Sequence, residues 1–134
     1  MLRFIKRYFS HQYVPIVWTL LLVIAMCIPG RYIPNESGFA LPNFDKLVHI
    51  TLFGGFVFLW GLYLSTRGLS FPRLMLGYFF FYMLSNGLGV AMELVQKYWI
   101  PGRDYDLADI IADMLGAGLG YGLCNLWLTK EKSS

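Results

Sequence analysis

Four apolar stretches, residues 13–28, 47–65, 74–95 and 107–128, limit what this chain can fold into. Runs of about this length can cross a bilayer, and a crossing segment must satisfy its own backbone hydrogen bonds, which leaves helices as the workable choice. The rest of the composition agrees: 57% of the 134 residues are apolar and only 14% are charged. The expectation is an all-α polytopic membrane protein, one domain folded as a four-helix transmembrane bundle.

The net charge of +3 conceals a strong asymmetry. If the first run crosses, one side receives Arg3, Lys6, Arg7, Arg67, Arg73, Lys130 and Lys132 with only Glu131 against them. The other side receives Arg31, Lys46, Lys97 and Arg103 against Glu36, Asp45, Glu93, Asp104, Asp106, Asp109 and Asp113. Lys and Arg favour the cytoplasmic side. Both termini are therefore expected in the cytoplasm, with every carboxylate except Glu131 at or beyond the opposite ends of the helices. No basic surface interleaved with aromatics points to nucleic acid.

The first dozen residues resemble the n-region of a signal peptide, but no A-x-A cleavage pattern follows, and bulky Met26 before Cys27 weakens a lipoprotein reading. The segment is taken as an uncleaved first helix, with Pro15 tolerated in its first turn. Cys27 and Cys124 fall near opposite ends of their spans, too far apart for a disulfide. A polar loop over residues 31–44 leads to a second helix with Asn43 or Asp45 as its N-cap. Pro101-Gly102 breaks the chain between the third helix and the fourth.

The chemistry gathers around that break. On a helix starting near Tyr105, residues Asp106, Asp109, Asp113, Gly116 and Gly120 are spaced by three and four and share one face. Glu93 and Gln96 share a face at the end of the preceding helix, and Asn86 lies seven residues before Glu93. Asp45, Lys46 and His49 can share a face at the start of the second helix. Carboxylates at membrane depth are costly and belong in a protein interior or a wet cavity, so they mark a functional site.

The order Asp45-Lys46-x-x-His49, Glu93-x-x-Gln96, Pro101-Gly102-Arg103 and Asp106-x-x-Asp109-x-x-x-Asp113-x-x-Gly116 resembles the VanZ-like family of small bacterial integral membrane proteins. The likeness covers residues from about 43 to 122. Asp113 stands where that family more usually carries Asn. The resemblance implies a multi-pass protein of the bacterial inner membrane, and it brings an association with resistance to teicoplanin-type glycopeptide antibiotics. It supplies no settled biochemical activity.

Several functions fit these residues. As an enzyme, the chain would use Glu93, His49 and Asp109 as catalytic groups. Asp45, Lys46, Gln96, Arg103, Asp106 and Asp113 would bind substrate, and a divalent cation would sit among Glu93, Asp106 and Asp109. Arg103 and Lys46 suit a phosphate, and a lipid-linked envelope precursor would be the partner alongside membrane lipids. The alternatives are a binding or masking module for an envelope headgroup or drug, a cluster of ion pairs that fixes the helix ends, and a proton or ion path. The last is disfavoured because Asn86 is the one clear polar residue deeper in the span. No H-E-x-x-H or G-x-S-x-G sequence is present.

Overall fold

The computed structural model describes residues 8, 9, 11–29, 32 and 44–129. The chain is helical: α1 (Tyr13–Met26), α2 (Phe44–Ser65), α3 (Phe71–Trp99) and α4 (Leu107–Leu123), which runs on as a π-helical turn, Cys124–Leu128. Among the described residues there is no strand. Three of these helices are long and apolar enough to cross a membrane, namely Phe44–Ser65, Phe71–Trp99 and Leu107–Leu128. α1 is more apolar than any of them but has 14 residues. At 1.5 Å per residue it is about 21 Å long, short of the roughly 30 Å of a hydrocarbon core.

Local chemistry explains the boundaries. Gly68 (φ 67°) reverses the chain after α2, a left-handed conformation that costs a glycine little. Pro72 then sits in the first turn of α3, where a missing N–H does no harm. α3 continues to Trp99, beyond the expected end at residue 95, because Pro101 is the first residue that stops it. Gly102 (φ 73°) completes the turn. α4 begins at Leu107 and not near Tyr105: Asp106 is extended (φ −121°), and its side chain accepts a 2.8 Å hydrogen bond from the Ala108 N–H. Asp45 likewise proves to be inside α2, which starts at Phe44, so it is a first-turn carboxylate and not a cap. The other proposed cap, Asn43, lies outside the described residues, as does nearly all of the polar loop before it.

α2 and α4 form the tightest seam. A Cβ on Gly54 would stand 2.8 Å from the Gly116 carbonyl oxygen, and Cβ atoms on Gly116 and Gly120 would collide with the Ile50 and Gly54 carbonyls. The backbones touch because no side chains intervene, which is how helices pack where apolar surroundings supply no hydrophobic drive. α1 lies antiparallel along α2. Its Trp18 Nε1 donates to the Leu52 carbonyl at 2.9 Å, and Trp60 Nε1 of α2 donates to Thr19 Oγ1 at 3.2 Å. Phe53, Phe56, Val57, Met92 and Ala117 fill the centre.

The outside is apolar. Leu76, Phe79, Phe80 and Met83 of α3 and Leu115, Leu119 and Leu126 of α4 are exposed, while Glu93, Gln96, Asp109 and Asp113 are buried. Water favours the opposite distribution, and a lipid surround favours this one. Both cysteines are free thiols.

Candidate functional site

The buried polar residues collect at the end of the bundle where α2 and α4 begin and α3 finishes. His49 of α2 is 2% exposed, Glu93 of α3 1%, and Asp109 and Asp113 of α4 6% and 1%. Such groups are tolerated away from water only when they face partners, and each does.

His49 is held from below. Its Nδ1 lies 2.8 Å from Asp113 Oδ1, an arrangement in which the imidazole donates to the carboxylate and the proton stays on Nδ1. Nε2 points the other way, 3.8 Å from Asp109 Oδ2. Gly89 of α3 makes room for Asp113, since a Cβ there would sit 2.8 Å from Oδ2. Glu93 reaches over the α3–α4 turn, and its Oε2 accepts the Asp106 backbone N–H at 2.9 Å. It thereby satisfies a donor at the start of α4 that no helical carbonyl can reach.

Lys46 ties the rim together. Its Nζ donates to Asp109 Oδ1 at 3.0 Å, Asp106 Oδ2 at 3.3 Å and Asp45 Oδ2 at 3.4 Å. The Asp106 carboxyl is held below its usual range, first by the Ala108 N–H and then by Lys46.

A pocket of about 190 Å³ opens beside the cluster. Met26 at the end of α1, Ile28 just beyond it, and Phe44 and Val48 of α2 give it mainly apolar walls, and Asp45, His49 and Arg103 bring charge or an imidazole to it. His49 is the residue that belongs both to this pocket and to the buried cluster.

The assembled site differs from the sequence expectation in three respects. Gln96 turns away: its Nε2 donates to the Met26 carbonyl at 2.9 Å and fastens α3 to α1. Asp106 is spent as a helix cap and Lys46 partner, and among the described residues the group able to share a metal ion is His49, Glu93 and Asp109, whose ligand atoms lie within 4.8 Å of one another. Lys46 is occupied by three carboxylates and is not poised for a phosphate. Arg103, expected to bind substrate, lines the pocket and makes no ion pair among the described residues.

Asn86 donates to Tyr82 of its own helix, so it lies outside the cluster. One and two turns below Glu93, the buried residues of α3 are Gly89 and Ser85. The pocket wall from α1 could not be read from the sequence, because nothing in residues 25–28 marks them as a lining. No protein-family model, curated protein or solved structure matches this chain.

Proposed function

We propose that this chain is a bacterial inner-membrane protein of the VanZ-like kind, crossing four times with both termini in the cytoplasm. Its polar end then faces outward and takes the phosphate-bearing headgroup of a lipid-linked envelope molecule, with the buried cluster of His49, Glu93 and Asp109 beside that headgroup. A role in tolerance of teicoplanin-type glycopeptides accompanies the family placement, which rests on the motif order alone.

The antiparallel run of α1 along α2 supports the fourth crossing: Trp18 lies against Gly55 and donates to Leu52, Met26 lines the pocket with Phe44 and Val48, and the Met26 carbonyl accepts from Gln96 near the far end of α3. Residues 8 and 9, at the basic end, are also helical, in a segment separated from α1 by the bend and turn at residues 11 and 12. The excess of Lys and Arg at that end supports its cytoplasmic placement.

The observation that carries the substrate class is the pocket. Its walls suit hydrocarbon, while Arg103 offers a planar set of donors with no carboxylate paired to it among the described residues. At about 190 Å³ it is smaller than the roughly 300 Å³ at the low end for sites that enclose a drug-sized ligand. It therefore fits a headgroup and the first part of a chain, with the remainder lying in lipid.

The test is retention of a polyprenyl phosphate by the purified protein in zwitterionic nanodiscs, read by native mass spectrometry. Arg103→Gln is expected to weaken retention by about tenfold or more, the value of a charge-assisted hydrogen bond. His49→Gln should retain the lipid but lose any conversion of it. Equal retention by Arg103→Gln and the parent protein overturns the reading.

A further inference from the structure

We infer that His49 Nε2, Glu93 and Asp109 form the binding site of one divalent transition-metal ion, of the manganese-to-zinc class. The inference deepens the reading above by naming what activates the site, yet the binding of the ion does not depend on the lipid being correctly identified.

Three independent helices each deliver one residue, and each residue has one atom occupied and one free. His49 Nδ1 is held by Asp113, Glu93 Oε2 by the Asp106 N–H, and Asp109 Oδ1 by Lys46. His49 Nε2, Glu93 Oε1 and Asp109 Oδ2 have no hydrogen-bond partner among the described residues. His49, 2% exposed, directs its Nε2 into the cluster, where these three open positions converge.

Distance agrees with this assignment. Ligands about 2.1 Å from a tetrahedral ion lie about 3.4 Å apart, and His49 Nε2 is 3.8 Å from Asp109 Oδ2. The ligand atoms of all three residues lie within 4.8 Å of one another, so rotamer adjustment without movement of the helices closes the set. Two carboxylates neutralise a divalent charge, and one imidazole with two oxygens favours manganese, iron or zinc over calcium and magnesium, which prefer oxygen alone. Asp113 then has a defined part as a positioning residue: it fixes the tautomer and the ring plane of a metal-binding histidine. Facing His49 are Asp113 and Asp109 of α4 and Glu93 of α3. Lys46 holds Asp109 from the rim.

The experiment uses the full chain in detergent, stripped with chelator and titrated with Co²⁺ by visible absorption and with Mn²⁺ by electron paramagnetic resonance. One equivalent is expected to bind, and Asp104→Asn, at an exposed position outside the cluster, should bind as the parent does. Glu93→Gln and Asp109→Asn should abolish stoichiometric binding. Asp113→Asn keeps all three ligands and should weaken binding by about 10–100-fold with an altered Co²⁺ spectrum; it decides the matter if the ligand variants fail to fold. Absence of stoichiometric binding by the parent, or binding unchanged in Asp113→Asn, overturns the metal site. Retention of polyprenyl phosphate that still depends on Arg103 would then leave the pocket reading standing. Metal binding without such retention would do the reverse.

Discussion

The two halves of the α2–α4 seam are built on one stripe of α4 and behave oppositely. Toward the middle, Gly116 and Gly120 bring backbone against backbone at Ile50 and Gly54. One turn nearer the start of α4, Asp113 and Asp109 fill the seam with carboxylates that meet His49 and Lys46. The glycine half has no polar side chains to satisfy, and the acidic half has several that must be satisfied away from water. The comparison teaches that the closely packed half acts as a clamp. It fixes the separation of two helices so that His49 and Asp113 meet at 2.8 Å without either being free to drift.

The largest expected effect comes from breaking the clamp. Gly116→Leu would drive a side chain into the Ile50 backbone, and the helices must separate. A loss of about 3 kcal/mol is expected, the upper end for overpacking, read as a fall in the thermal midpoint in detergent. The polar half should fail along with it.

A smaller effect tests the acidic half at its rim. Asp106→Ala removes the α4 cap and one Lys46 partner, at a cost of about 1 kcal/mol. Because folding lowers the Asp106 carboxyl below its usual range, its contribution is present above that range and disappears as pH falls through the lowered value. Thermal scans of parent and variant should therefore converge in acid. A gap that stayed constant or widened at low pH would show that the cap does not act through its charge.

The smallest effect sharpens the comparison from the other face of the same helix. A Cβ on Gly118 meets nothing within 4 Å. Gly118→Ala should gain roughly 0.5–1 kcal/mol from reduced backbone freedom. A loss there would mean that glycine serves α4 for a reason other than contact with α2.

Much of this contrast was legible beforehand. The three-four spacing from Asp106 to Gly120 put acids and glycines on one face, and the structure buries that face from Asp109 to Gly120. Glu93 and His49 were marked by their positions in or beside apolar runs, and both are in the cluster. Gln96 was placed in the cluster by type and proximity, and the structure turns it toward α1 instead. Whether a side chain at a helix end turns toward one neighbour or another depends on helix rotation and on which partner lies nearest. Gln96 found the free carbonyl of Met26, a group invisible to side-chain patterns.

The apolar runs and the bilayer's demand for internally satisfied backbones determined the helices, and periodicity determined which face of α4 would be buried. Breakers set the ends: Pro101 limits α3, and Asp106 starts α4. Only the tertiary structure decided which of nine candidate residues converge. It chose His49 over Asp106 for the central trio, gave Lys46 to the rim, and left Arg103 to the pocket. The reason is geometric: sequence spacing fixes angles around one helix, whereas a site drawn from three helices depends on their mutual rotation and distance, and those are set by where the glycines let the backbones touch.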